Sequence, residues 1–250
     1  MIIQQEAIVL RYIDYGDSSQ IFTLFTQDYG KIGVMAKGLK RNKNPYQGAM
    51  QVLNHLNVIY YPKKEGQLAL FKECDIKSHF PAIRKDLPRL FTALYFVEFV
   101  REFTAEGDPN IRVFRLLRYA LEQLSLGSIP QNMLLYLQWH TMCLLGINPN
   151  LEQCNFCQNY IALKCMNAFF SPASGLSYCQ ECQKHARGNL IVIPAITLQK
   201  IHVLVNTHNS RINQISLTSE EYQMVFQAFR LYLRFSFDKD LRLSRYLLFS

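Results

Sequence analysis

The stretch Gln20-Ile21-Phe22-Thr23-Leu24-Phe25-Thr26-Gln27-Asp28-Tyr29-Gly30-Lys31-Ile32-Gly33-Val34-Met35-Ala36 decides how this chain is read. Two short runs rich in β-branched and aromatic residues flank the turn signal Asp28-Tyr29-Gly30, so the spacing predicts two strands and no helix. Upstream, Glu6 to Tyr12 reads as a further strand that ends at the turn Asp14-Tyr15-Gly16-Asp17. Downstream, Gln51 to Tyr61 and Gln67 to Phe71 read as two more, separated by a break at Pro62. Five short strands in about 75 residues predict a small barrel, and the OB-fold is the five-stranded candidate. Between the third and fourth strands, the segment from Gly38 to Gly48 carries Lys40, Arg41, Asn42, Lys43, Asn44 and Pro45 and is expected to be an exposed loop.

From about residue 81 the period becomes helical. Leu87, Leu90, Phe91, Leu94 and Val97 form one apolar stripe. Val113, Leu116, Leu117, Ala120, Leu121 and Leu124 form a second, with Asp108-Pro109 read as its cap and first-turn proline. Met133, Leu134, Leu137, Leu144 and Leu145 form a third, which Gly146 and Pro149 end. Thr218-Ser219-Glu220-Glu221 is a capping box that opens a helix with Tyr222, Val225, Phe226, Phe229 and Leu233 on one face. The expected fold class is therefore α+β and multi-domain. An N-terminal OB-fold β-barrel for nucleic acid spans 1–80, and a helical domain spans 81–150. A cysteine-bearing insert spans 151–190, and C-terminal helices spanning 191–250 complete an all-α bundle.

Four of the seven cysteines fall into Cys154-Asn155-Phe156-Cys157 and Cys179-Gln180-Glu181-Cys182. A two-residue spacer lets both thiolates of a pair turn onto one ion, and two such knuckles complete a tetrahedral sulfur site suited to one structural Zn²⁺. Paired C-x-x-C motifs and an odd cysteine total favour metal in a reducing, cytoplasmic compartment over a disulfide framework. Cys165 lies between the pairs without a partner at ligand spacing, Cys74 and Cys143 sit in apolar contexts, and His185 follows Cys182 by three residues.

The chain of 250 residues carries 27 Lys+Arg against 19 Asp+Glu, a formal charge of +8. Residues 1–80 hold 10 basic and 7 acidic side chains, and residues 191–250 hold 7 and 4, so the excess lies at the two ends. Within the first segment Lys31, Lys37, Lys40, Arg41 and Lys43 occupy a run free of acids, and Arg242 and Arg245 stand near the other end. Such clusters suit a polyanion, although a solvated surface gives the same composition, and Arg242 and Arg245 equally suit a helix end. Residues 123–151 contain no charged side chain, but Pro130, Gln131, Asn132, Gln138 and Pro149 argue against a membrane span. Met1 opens onto Ile2-Ile3-Gln4-Gln5-Glu6, which has no basic segment followed by a sustained apolar run, so no secretory leader is expected. The phosphate-loop, zincin and nucleophile-elbow motifs are all missing from the sequence.

Barrel, basic loop, helices and cysteine module, in that order, resemble the RecO family of bacterial DNA repair proteins. Ala7-Ile8-Val9-Leu10, Tyr15-Gly16, Leu24-Phe25-Thr26 and Gly30 resemble the family's opening strands, and Ala36-Lys37-Gly38 with Lys40-Arg41 its basic turn. Cys154/Cys157, Phe170-Ser171-Pro172, Gly175 and Cys179/Cys182 match its zinc module, and Leu241 to Leu247 is similar to its C-terminal signature. Two departures fall at backbone turns: Gln158 stands where the family often has Gly, and Ser174-Gly175 where it usually has Gly-Gly.

The resemblance implies a recombination mediator without catalytic activity that binds single- and double-stranded DNA and anneals complementary strands without ATP. It further implies work with RecR, RecF and the single-strand-binding protein to load RecA recombinase. Phosphate contacts would come from Lys31, Lys37, Lys40, Arg41 and Lys43, with Arg242 and Arg245 as a second patch. Tyr12, Tyr15, Phe22 and Tyr46 are either stacking faces or barrel core. The rival readings are a zinc-stapled protein-interaction scaffold with incidental charge and a zinc-dependent nuclease or transferase.

Overall fold

A computed structural model describes residues 2–64, 66–127, 130–207 and 209–247. Contacts divide the chain into two compact units, Met1–Gly127 and Ser128–Ser250. This division groups the first helices with the barrel, whereas the four-segment scheme of the sequence cuts where the period changes.

In the first unit, strands β1 (Ile3–Tyr15), β2 (Ser19–Thr26), β3 (Gly30–Ala36), β4 (His55–Tyr61) and β5 (Ala69–Ser78) close a barrel in the order β1-β2-β3-β5-β4. Every pairing is antiparallel except β3 with β5, which meet in parallel at Val34–Ala69 and Met35–Leu70. That one parallel closure is what a five-stranded Greek-key barrel requires. Alternation sorts the side chains: Ala7, Val9, Phe22, Leu24, Val34, Leu56 and Val58 fill the interior. Ile8 and Leu10 are equally buried but point the other way, and Ile8 faces Phe25 across the ladder. A register shift between Val9 and Arg11 re-aims the outer half of β1, so that Tyr12, Ile13 and Tyr15 stand exposed.

Three helices cover the barrel's outer face: the short α1 (Pro81–Arg84), α2 (Leu87–Phe103) and α3 (Ile111–Leu126). The ring of Phe114 on α3 meets Phe25 at 6.1 Å. The second stripe of the sequence lies on the buried face of α3, except that Leu116 is only half-buried and Phe114 joins the face. The first is not the buried face of α2: Leu87 is exposed, and burial runs through 92–100 almost all round because this helix is enclosed on several sides. The cap of α3 is Asn110, which accepts from Val113 N, and not the Asp108-Pro109 pair. Asp108 is held elsewhere, its backbone pressed against Gly30.

That contact makes Gly30 irreplaceable. Its φ is +64°, and a Cβ there would lie 2.0 Å from the Asp108 carbonyl oxygen. Gly30→Ala is expected to destabilise the first unit by more than about 2 kcal/mol, read as a lowered unfolding midpoint. Gly16→Ala, at φ +60° but with open space, should cost less.

Glu6 on β1 ties the same layers together. Its carboxylate accepts from His55 Nε2 at 2.9 Å, from Lys77 on β5, and from Arg118 on α3 at 3.5 Å. The Lys77 hydrogen bond, reinforced by His55, holds the Glu6 carboxyl below its ordinary 4.5. Burial pushes His55 below its ordinary 6.5 despite the pull of Glu6. In both cases the unfolded chain binds more protons as pH falls. Stability should therefore be lost below about pH 6.5 through His55 and further below about 4.5 through Glu6. Unfolding midpoints measured against pH check this, and Glu6→Gln should flatten the lower limb.

In the second unit, α4 (Pro130–Leu144) precedes the cysteine module, α5 (Ile161–Lys164), and strands β6 (Asn167–Ser171), β7 (Leu176–Tyr178) and β8 (Ile191–Pro194). The three strands form a sheet in the order β7-β6-β8, an element the sequence reading did not foresee. Then follow α6 (Ala195–Asn206), α7 (Ser219–Phe237) and the short α8 (Ser244–Leu247). The capping box of α7 is complete: Thr218 Oγ1 accepts from Glu221 N and the Glu221 carboxylate accepts from Thr218 N. No described helix is long and apolar enough to cross a membrane.

Candidate nucleic-acid interface and metal centre

The segment joining β3 to β4 alternates basic and apolar residues, and the structure separates the two kinds. Leu39, Ala49 and Met50 are buried in the barrel core, with Tyr46 packed against them and its ring 5.4 Å from Phe71. Lys37, Lys40, Arg41 and Lys43 are exposed. The loop is therefore a plug with a charged outer face, its apolar residues seated in the barrel core.

Hydrogen bonds complete the fixing. Lys40 N donates to Ser18 O at 2.9 Å, Asn44 Nδ2 donates to Gly38 O at 3.2 Å, and Asn44 Oδ1 accepts from Tyr46 N at 2.9 Å. These bonds seat the loop beside the β1–β2 turn, where Lys40 Nζ pairs with Asp14 at 3.0 Å. Among the described residues, Lys37, Arg41 and Lys43 have no acidic partner.

Lys31 belongs to a different arrangement. Its ammonium donates to the carbonyls of Arg101 and Thr104, each at 2.6 Å, at the C-terminal end of α2. A cation there satisfies orphan carbonyls and complements the helix dipole. Of the aromatic candidates, Phe22 is fully buried and Tyr46 packs on the core, while Tyr12 and Tyr15 are 46% and 58% exposed. Tyr12 rests on Phe22 with ring centroids 5.8 Å apart, so a wet face is backed by a buried one. In the second unit, Arg242 and Arg245 are exposed, the latter in α8.

The four cysteines converge. All four sulfurs lie within 4.8 Å of one another, and Cys157 Sγ is 3.8 Å from Cys179 Sγ. An ion with four sulfurs at about 2.3 Å spaces them roughly 3.8 Å apart, so this cluster can hold a metal ion. Cys154, Cys179 and Cys182 are buried and Cys157 is exposed. Each knuckle is closed by its own turn: Gln158 N donates to Cys154 O, and Gln183 N to Cys179 O.

Burial opposes ionisation of Cys154, but the backbone N–H groups of Cys157, Cys179 and Phe156 hold its thiol down to about 6. Burial pushes Cys182 up to about 12. A lowered Cys154 beside Cys179 and Cys182, both pushed up by burial, is a set that a divalent cation completes by displacing protons. His185 stands aside, its ring stacked on Phe156 at 3.9 Å. Cys74 is buried as expected, whereas Cys143 is exposed on the last turn of α4.

The two departures at the knuckles differ in kind. Gln158 adopts φ +60°, the left-handed conformation that favours glycine, at a cost of roughly 1–2 kcal/mol. Gly175, at φ +69°, is the glycine that must be kept, since a Cβ there would meet the Tyr232 ring at 2.4 Å. Ser174 has no such constraint.

Two family models match the chain: Recombination protein O N terminal over residues 1–80, and Recombination protein O C terminal over residues 84–245. The chain belongs to the RecO family. Relatives named DNA repair protein RecO include one from Exiguobacterium sp., 30% identical over 90% of this chain and 87% of its own length. Another, from Pelotomaculum thermopropionicum, is 29% identical over 95% and 90%, and one from Salinibacter ruber is 36% identical over 61% and 59%. Membership in the RecO family makes this a non-catalytic mediator of DNA repair and recombination.

The anchor of the basic loop is what sequence patterning leaves out. Leu39 and Met50 are apolar residues inside a polar stretch, and that interleaving was the available signal for a plug.

Proposed function

We propose that this RecO-family protein binds single- and double-stranded DNA on the plugged end of its barrel and anneals complementary strands without ATP. The observation that carries the reading is the exposed cations Lys37, Arg41 and Lys43, without an acidic partner among the described residues, on a loop anchored in the core, together with exposed Tyr12 and Tyr15. Cations that track phosphates, together with aromatic faces that take any base, bind single strands without sequence preference. Lys40 joins them when phosphate displaces Asp14. Lys31, committed to the end of α2, serves to hold the barrel's helices and not the DNA. Arg242 and Arg245 supply a second basic surface for another strand.

The four cysteines hold one structural Zn²⁺, whose closed thiolate shell leaves no position for substrate. Family membership supports RecR, RecF and the single-strand-binding protein as partners, RecA loading as the outcome, and the cytoplasmic nucleoid as the place. Fluorescence anisotropy with labelled single- and double-stranded oligonucleotides over a salt series tests the binding. Affinity that falls steeply with salt and is indifferent to sequence is expected. Salt-independent or absent binding would favour the scaffold reading.

A further inference from the structure

The chain has a single tryptophan, and that residue, Trp139 on α4, lines a cavity of about 370 Å³ in the second unit. Leu198, Ile201 and Val205 of α6 line it as well, and Leu151 and Tyr160 form a further part of its wall. That part is the stem of the first cysteine knuckle. Gln153 and Tyr160 form an antiparallel bridge, and Ile161 N donates to Glu152 O at 2.9 Å. Cys154 and Cys157 lie at the tip between those bridge partners.

Two polar contacts fasten the stem to α6: Gln199 Nε2 donates to Ala162 O at 2.8 Å, and His202 Nδ1 meets Glu152 at 2.9 Å. The His202–Glu152 pair is exposed and contributes little by itself. The tip also meets β7 directly, where Cys154 forms a parallel bridge with Ser177. Asn155 N donates to Ser177 O of β7, and Cys179 and Cys182 follow directly after β7.

We propose that metal occupancy of the four cysteines builds the wall of this cavity, so that the knuckle and the cavity beside Trp139 form together. An ion held by both knuckles reinforces these contacts of the tip with the β7-β6-β8 sheet and thereby presses the stem against α6. Without that tie, an exposed ion pair and one amide hydrogen bond are what fasten the stem's polar groups to the helix. The coupling is reciprocal: what fastens the stem also favours the metal. The inference rests on the metal reading above, and the experiment separates the two.

Purified protein is stripped with a chelator and then titrated with Zn²⁺. Binding is followed by competition with a chromophoric chelator, and the cavity by Trp139 emission and acrylamide quenching. Metal removal should shift Trp139 emission to the red and increase quenching, both reversed by one equivalent of zinc, with the far-UV helical signal retained. Gln199→Ala combined with Glu152→Gln should weaken zinc binding by roughly fivefold or more. Tight zinc binding with unchanged Trp139 emission and quenching would overturn the coupling, as would unaltered zinc affinity in the double variant. Loss of the whole helical signal on chelation would also overturn it, by placing the metal's effect on the entire unit. Absence of zinc binding would overturn the metal reading itself.

Discussion

Charge reversal at Lys37, Arg41 and Lys43 is expected to weaken binding of any single-stranded DNA by on the order of a hundredfold at low salt, from three phosphate contacts at roughly 1 kcal/mol each. The three residues are chosen because none has an acidic partner among the described residues. Lys40 is left in place because a carboxylate there would stand against Asp14, 3.0 Å from the present ammonium, and confuse repulsion within the protein with repulsion of DNA. The loop should keep its shape, since Leu39, Ala49 and Met50 remain in the core. The dependence of log affinity on log salt should flatten by about 2, the counterion release of three single-strand phosphates. Binding titrations over a salt series, with thermal melts as the folding control, read both effects. A sequence-selective loss would mean that the loop reads bases. An unchanged affinity would move the site to Arg242 and Arg245.

Cys179→Ser is expected to abolish tight zinc binding. Losing even an outer partner of a metal ligand costs roughly 10–100-fold in affinity, and a lost thiolate costs more. Cys179 is the right test because it is buried and its sulfur lies beside Cys157. Serine leaves its backbone turn intact, so the defect is one of coordination. The cysteine module should become protease-sensitive, because for such sites binding free energy is folding free energy. The first unit has its own core and should melt as before. Elemental analysis and limited proteolysis check the two halves of this result. Full zinc content in the variant would mean that the ion is not held by this set.

The barrel was legible because its strands obey a period of two and its turns carry Gly or Asp, as at Asp28-Tyr29-Gly30. The cysteine cluster was legible because ligand spacing is a local property. What escaped depended on tertiary contact. The stripe assigned to α2 failed because that helix is enclosed on several sides, which erases the one-sided pattern. The cap of α3 moved from Asp108 to Asn110 because Asp108 is pinned against Gly30, a residue far away in sequence. The strands β6 to β8 are too short to show a period. Lys31, at the start of the third strand, read as one more phosphate contact, and only the fold reveals that its ammonium caps a helix some seventy positions downstream.

The central claim is that binding alone, without nucleotide hydrolysis, pairs complementary strands. Annealing is opposed by repulsion between two phosphate backbones and by rare encounter, and separate basic surfaces that hold two strands relieve both. Fluorescence-monitored annealing of complementary oligonucleotides with the purified full chain, with and without ATP, is the direct measurement. Equal acceleration in both conditions, largely lost on reversal of Lys37, Arg41 and Lys43 while zinc content stays unchanged, is the predicted result. A strict requirement for ATP, or no acceleration at all, would contradict it.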